Sequence, residues 1–261
     1  VLIQKVDEEL SKLMKARMVA KIGDQYEFLT GVKRTFEDEV AGQFPISQSE
    51  CDRVLVAEFA EDVCGGFERV PYRGNEFPVR VTFDGNPLPR KSGHIELRVY
   101  SPLQSMTGVT LSALEEQSLH ESETIFLLSA KLPGFDSDLK RFIAVRNVVN
   151  RWKGDPQMGE EAHKLALSRE ANDLEKLKRL IKENLRRGFK EGHLVFRGSS
   201  KTFAVRNGHS IDEAIRHEIA SYWPTLYSKF DRVPVRIVKE QNAIQDVLSG
   251  SRNLTPDVKE L

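Results

Sequence analysis

The chain contains no GxxxxGK[ST] phosphate loop, no HExxH helix, no CxxC pair and no GxSxG elbow. Those absences remove the sequence signatures of nucleotide hydrolysis, zinc-dependent hydrolysis, thiol redox chemistry and serine hydrolysis. Cysteine is scarce. Cys51 and Cys64 stand alone among apolar neighbours and cannot form a disulfide framework, so they read as small buried hydrophobes. No run approaches the ~18 uninterrupted apolar residues of a membrane span. No secretory h-region opens the chain. The expected setting is therefore cytoplasmic, with no membrane contact. Charge of one sign is also missing: Lys+Arg and Asp+Glu both number 39. No global basic field draws the protein to nucleic acid. The chain opens on Val1 rather than methionine, and this, with the missing motifs, leads us to expect a piece of a larger machine.

What is present is ample for a packed core. The 261 residues are 39% hydrophobic and 30% charged, as in helix-rich globular proteins. Residues 5–19 place Val6, Leu10, Leu13, Met14 and Met18 on one helical face. Gly23-Asp24 predicts a turn between two short strands, and Thr30 a cap for a helix reaching about Ala41. Helix, hairpin and helix in this order predict a partial winged helix over 1–45. Its charges balance, seven basic residues against eight acidic ones through Glu39. A DNA reader needs surplus cations, so this unit is expected to be structural or protein-binding.

Ser47 or Ser49 can cap a helix through about Cys64, ended by Gly65-Gly66. Residues 78–83 and 94–103 read as strands, separated by a turn at Asp84-Gly85-Asn86 and a basic loop with Arg90 and Lys91. The apolar run opening 124–132 suits a strand buried on both faces. Pro133-Gly134 then precedes a helix capped by Asp136 or Ser137 and reaching about Trp152. After a break at 154–156, residues 159–190 predict one long amphipathic helix suited to coiled-coil-like packing. HLVFRG, a turn at Ser199-Ser200 and KTFAV predict a hairpin. Ser210 starts a helix with Asp212 and Glu213 in its first turn, and a last short helix is expected to end at Gly250. The expected class is mixed α+β: the winged-helix-like segment (1–45), an α/β section (46–155) and a helical section with a hairpin (156–261).

Candidate chemistry is thin. Residues 136–190 hold fourteen Lys/Arg against nine Asp/Glu. Lys176, Arg179, Lys182, Arg186, Arg187 and Lys190, with Arg90 and Lys91, could track phosphates or an acidic partner. The alternative is a solvated face laced by pairs such as Glu175–Arg179 and Asp173–Lys176. None of His94, His120, His163, His193, His209 and His217 has metal-ligand spacing. Asp212, Glu213, His217 and Glu218 share one helix but lack a second ligand set. Trp152, Trp223 and Tyr227 read as core or interface anchors. No catalytic residue, cofactor residue or metal ligand is expected.

Several strings carry a resemblance. LMKARMVAKIGDQYEFLT (13–30), RVPYRGNEFPVRVTFDG (69–85), IELRVYSPL (95–103), LIKENLRRGFKEGHLVFRG (180–198) and IDEAIRHEIASYWPTLYSKFDRV (211–233) resemble, in this order, the middle region of the large P-loop ATPases of the BREX phage-defence system (BrxC/PglY). The resemblance covers most of the chain. It implies a very large AAA-type ATPase acting with other BREX proteins in host DNA methylation and phage exclusion. It places the nucleotide motif N-terminal to this region, so ATP and Mg belong to the intact protein and no nucleotide residue carries over. The implied role is a scaffold and coupling fragment that relays nucleotide state and docks BREX proteins or neighbouring copies. The competing reading is a DNA-binding module built on helix 176–190. A third, a hydrolase using Asp212, Glu213 and His217, has only single-helix spacing behind it.

Overall fold

The computed structural model describes residues 2–16, 18–22, 25–28, 30–72, 75–89, 93, 95–202 and 210–226. The chain divides into a unit of residues 1–220 and a second of 221–261. The second is described only through its short helix Trp223–Leu226.

The first unit opens with α1 (Leu2–Lys15), the antiparallel hairpin β1 (Val19–Ile22) and β2 (Gln25–Phe28), and α2 (Gly31–Gly42). The helices and strands follow the periodicity of the sequence, and the turn expected at Gly23-Asp24 lies outside the described residues. Thr30 occupies the cap of α2 in extended backbone but makes no side-chain cap bond. The apolar stripe of α1 is only partly covered, since Val6 and Met14 are exposed, as are Met18 and Phe28 of the hairpin.

α3 (Gln48–Leu55) begins at Ser47, whose hydroxyl accepts the Glu50 N–H at 3.2 Å. It continues through a π-turn (Val56–Ala60) into α4 (Glu61–Cys64) and ends in a 3-10 turn at Gly65–Phe67. β3 (Arg69–Tyr72) pairs antiparallel with β4 (Asn75–Phe83). Asp84 (φ 45°) and Gly85 (φ 79°) form a two-residue turn with both residues at positive φ. This geometry favours Asp-Gly and matches strand twist, and it returns the chain as β5 (Asn86–Pro87). β6 (Ile95–Tyr100) then lies parallel to β4 on its other edge.

Ser101 caps α5 (Pro102–Thr107), and Thr110 caps α6 (Leu111–His120). Neither helix was expected from the sequence. β7 (Thr124–Leu128) is parallel to β6 and buried at every residue, as its apolar run predicts. α7 (Phe135–Gly154) starts two or three residues earlier than a cap at Asp136 or Ser137 would set it. The reason is Gly134: at φ 88° it turns the chain in a conformation other residues avoid, leaving the Ser137 hydroxyl to donate to the Gly134 carbonyl at 2.7 Å.

Residues 160–190 are one continuous rod, but it is not a uniform α-helix. α8 (Glu160–Arg169) passes through a π-turn (Glu170–Leu174) into α9 (Glu175–Lys190). Ala166 and Leu174 are both buried. Eight residues at about 100° each would leave them ~80° apart, and the extra residue of a π-turn restores their alignment. Hence α8, the π-turn and α9 all pack on α7.

β8 (His193–Phe196) pairs antiparallel with β7, and β9 (Ser199–Thr202) with β8. Their turn is Arg197-Gly198, both at positive φ, and not Ser199-Ser200, which already belong to β9. Glycine at the second position decides this. In α10 (Ile211–Ala220) Ser210 and Glu213 exchange bonds, Glu213 N–H to the hydroxyl at 3.2 Å and Ser210 N–H to the carboxylate at 2.9 Å. That is a capping box. The helix expected to end at Gly250, and Tyr227, lie outside the described residues.

The sheet therefore runs β3-β4-β6-β7-β8-β9, with β5 attached to β4. The register puts Val79, Val81, Leu97, Val99, Ile125, Leu127 and Leu194 on one face, all buried. α10 packs on β3, and its Glu218 pairs with Lys201 of β9 at 2.5 Å. One helix thus touches both edge strands, as a curled sheet requires. On the other face α6 covers Phe126, Leu128 and Val195 through Leu114. It leaves the β4–β6 part of that face open.

Candidate functional site

Three surfaces carry unusual chemistry. The first is the junction between the opening unit and the helical layer. Phe36 of α2 is buried edge-on against Trp152 of α7, centroids 5.1 Å apart. Beside it, Glu39 accepts the Trp152 indole N–H at 2.7 Å and also pairs with Arg151. Glu37 faces Arg169 at 3.5 Å and Arg141 at 3.9 Å. Arg169 is 7% exposed, holds Asp173 at 2.5 Å across the π-turn, and lies 5.7 Å from the centre of the Phe36 ring. A guanidinium so deeply buried is tolerable only with two carboxylates and an aromatic face around it. Next to this network is a cavity of about 180 Å³, floored by Phe36, Val145, Leu177 and Leu180, with Lys21 and Lys176 at its rim.

The second surface is the open part of the sheet face. A groove of about 520 Å³ is lined by Arg80, Thr82, Glu96, Arg98 and Tyr100, with the β4–β5 turn as one bank. Glu96 accepts the Thr82 hydroxyl at 2.7 Å and bonds from Arg80 and Arg98 at 3.2 Å each. Burial pushes its carboxyl up, but these donors outweigh it and hold the group below its ordinary range. Arg98 also reaches Glu121 at 2.8 Å and stacks over Phe126. The charges of this groove are satisfied internally, which suits a sheet-bracing network.

The third is the basic face expected on α9. Lys176, Arg179, Arg186, Arg187 and Lys190 are exposed and Lys182 is half-buried. Lys182 pairs with Asp62 of α4, and that bond holds the Asp62 carboxyl below its usual range, with Lys178 and Arg186 adding to the effect. Arg179 pairs onward with Glu183 at 3.8 Å, not back to Glu175. Asp173 is committed to Arg169 rather than Lys176. Arg90 and Lys91 lie outside the described residues. The six helical candidates share a helix but not a single azimuth. Lys176 borders the junction cavity, while Lys182 faces α4.

The remaining candidates are not brought together. Glu213 is engaged in the capping box, Glu218 with Lys201, and Asp212 stands against Gly66. Among the described residues no group of three His, Cys, Asp or Glu is arranged to hold a metal ion. Cys51 and Cys64 are buried free thiols, and burial, then the nearby Asp136, pushes Cys51 up to about 11. No helix among the described residues is long and apolar enough to cross a membrane. Sequence reasoning missed Glu37, Glu39, Arg169 and the sheet-face network. Arg169 in an otherwise apolar stripe (Ala162, Ala166, Leu174) was the one available signal.

A family model described as the fourth domain of the BREX ATP-binding protein BrxC, with a six-stranded β-sheet, matches residues 44–217. Six strands do form the continuous path from β3 to β9. No curated protein and no solved structure matches the chain.

Proposed function

The chain belongs to the BrxC family of BREX ATP-binding proteins, contributing its fourth domain, and from this premise we propose that it is a non-catalytic scaffold and coupling segment of the defence ATPase. In this reading the opening helix–hairpin–helix, a partial winged helix, takes up the state of the nucleotide-binding part. α2 hands that state to the fourth domain. ATP and Mg act in the intact protein, outside this chain. The partners are other BREX proteins and neighbouring copies, and the setting is the cytoplasm.

One observation carries the proposal. α2 lies outside the matched domain yet is fastened to α7 and α8 by Phe36–Trp152, Glu39–Arg151 and Glu37–Arg169. Packed aromatic and paired contacts of this kind transmit displacement rather than absorb it. In the intact protein, Glu37→Lys with Glu39→Lys is expected to abolish phage exclusion while ATP hydrolysis persists. Unchanged exclusion by a folded double variant overturns the reading.

A second reading has its own support. Among the described residues Arg186, Arg187 and Lys190 have no ion-pair partner within 4 Å. Such free cations at the end of α9 suit the phosphates of duplex DNA. Steeply salt-dependent DNA binding that Arg186→Glu with Arg187→Glu abolishes would favour this reading over the scaffold.

A further inference from the structure

We infer that the junction cavity receives an apolar side chain from an acidic peptide segment of a partner protein. The size of the cavity argues first. At about 180 Å³ it is slightly larger than an engineered cavity of ~150 Å³ that holds benzene. It falls well short of the ~300–1,000 Å³ of small-molecule pockets, so a nucleotide does not fit. One leucine- or phenylalanine-sized group does. Phe36, Val145, Leu177 and Leu180 give such a group apolar surroundings, and Leu180 is already part-exposed at the lip.

The charge around the cavity argues for the sequence context of that group. Its two carboxylates, Glu37 and Asp173, are turned to Arg169. Lys176 has no ion-pair partner among the described residues, and Lys21 only leans over the Tyr26 ring, 5.8 Å from its centre. Arg141 is half-exposed and reaches Glu37 only at 3.9 Å. The anionic side of the rim is thus spent internally and the cationic side is not. An apolar residue flanked by Asp or Glu complements this rim, and one flanked by Lys or Arg is repelled.

The lining comes from four separate elements: β1, α2, α7 and the rod at its π-turn and first two turns of α9. An occupant touches all four at once. It therefore favours one placement of the opening unit on the helical layer, which makes the cavity a point where a partner biases coupling. This inference rests on the coupling reading above.

The test uses the full-length protein and fluorescein-labelled synthetic peptides read by anisotropy. The probe is a peptide of alternating Glu and Leu, with alternating Lys-Leu and Glu-Ser peptides as controls. The Glu-Leu peptide is expected to bind, with Lys176→Glu and Leu180→Asp each weakening it about tenfold or more, equivalent to roughly 1.4 kcal/mol. Arg187→Glu is expected to leave binding unchanged, and neither control peptide to compete. Absence of Glu-Leu binding, equal binding of Lys-Leu, or indifference to both cavity variants overturns the inference. Those outcomes leave the coupling reading standing if Glu37→Lys with Glu39→Lys still abolishes phage exclusion, so the two failures are separable.

Discussion

Phe36 and Trp152 meet edge to face, their ring planes at 89° and both side chains fully buried. One ring comes from the opening unit and the other from α7 of the fourth domain, more than a hundred residues later. Deleting the Phe36 ring removes a core aromatic and leaves a void that Trp152, held by Glu39, cannot close. Phe36→Ala is expected to cost about 3–5 kcal/mol. Urea unfolding measures this, and a blue-to-red shift in the emission of Trp152 should accompany it. A cost under ~1 kcal/mol would mean that α2 is not integral to the first unit.

Arg169 offers a cleaner comparison between buried and exposed charge. Its removal strands Glu37 and Asp173, both mostly buried, without their shared cation. Arg169→Met is expected to destabilise by ~3 kcal/mol, at the low end for broken buried pairs because both carboxylates keep some contact with solvent. The neighbouring pair Lys164–Glu160 has nearly the same contact distance, 2.6 Å, but is largely exposed. Lys164→Ala is expected to change stability by less than about 0.5 kcal/mol. Denaturation of the two variants side by side decides whether burial or mere proximity sets the value.

The elements with strong local signals were legible in the sequence. Ile95, Leu97 and Val99 alternate cleanly because β6 has one covered and one open face. The run Thr124–Leu128 loses alternation because β7 is buried on both faces, with α6 over Phe126 and Leu128 on one of them. What was not legible depends on partners distant in sequence. Glu39 looks like any surface glutamate of an amphipathic helix until Trp152 and Arg151 arrive. α6 has a weak apolar stripe, since it buries chiefly Leu114 and Ser118, so periodicity passes over it. The π-turn at 170–174 is invisible to a count of threes and fours, because its purpose is to repair a stripe that such a count assumes to be regular. Basic residues on α9 were easy to find, but which face each occupies follows from where α4 and the junction lie.

Asp84 predicts a pH dependence. Burial pushes its carboxyl from 3.8 up to about 6 even though Oδ1 accepts the Ser101 N–H at 2.8 Å, and Asp52 nearby adds to the rise. Oδ2 is buried without a hydrogen-bond partner. A raised acid binds its proton more tightly in the folded state. Its favourable contribution is full below pH 3.8 and is lost as pH rises through about 6. Asn at this position keeps the bond to Ser101, tolerates the positive φ and never ionises. Asp84→Asn is expected to gain about 1–2 kcal/mol near neutral pH, a discounted share of the ~1.4 kcal/mol that each pK unit represents. That gain should shrink toward zero as the pH approaches the unshifted value. A gain that is constant across this range would show that burial of charge is not its source.

Glycine in the α9–β8 connection predicts a reversal of sign. Gly188 lies within α9, where alanine normally stabilises a helix by about 0.8–1.0 kcal/mol. A Cβ there would stand 2.3 Å from Ser129 Oγ and 3.1 Å from Pro102. At Gly192 it would stand 2.2 Å from the carbonyl oxygen of Leu128, which is main chain of the central strand and cannot rotate aside. Both substitutions overpack the seam where the end of the rod meets the end of β7. Gly188→Ala is expected to lose about 1–2 kcal/mol net, and Gly192→Ala to exceed it, at the upper end of the ~1–3 kcal/mol of overpacked cores or beyond. Ser129→Gly should recover part of the first loss and none of the second, because only the first clash is with a side chain. Thermal unfolding of the two single and two double variants tests this ordering, and stabilisation by Gly188→Ala would refute the close approach of α9 to β7.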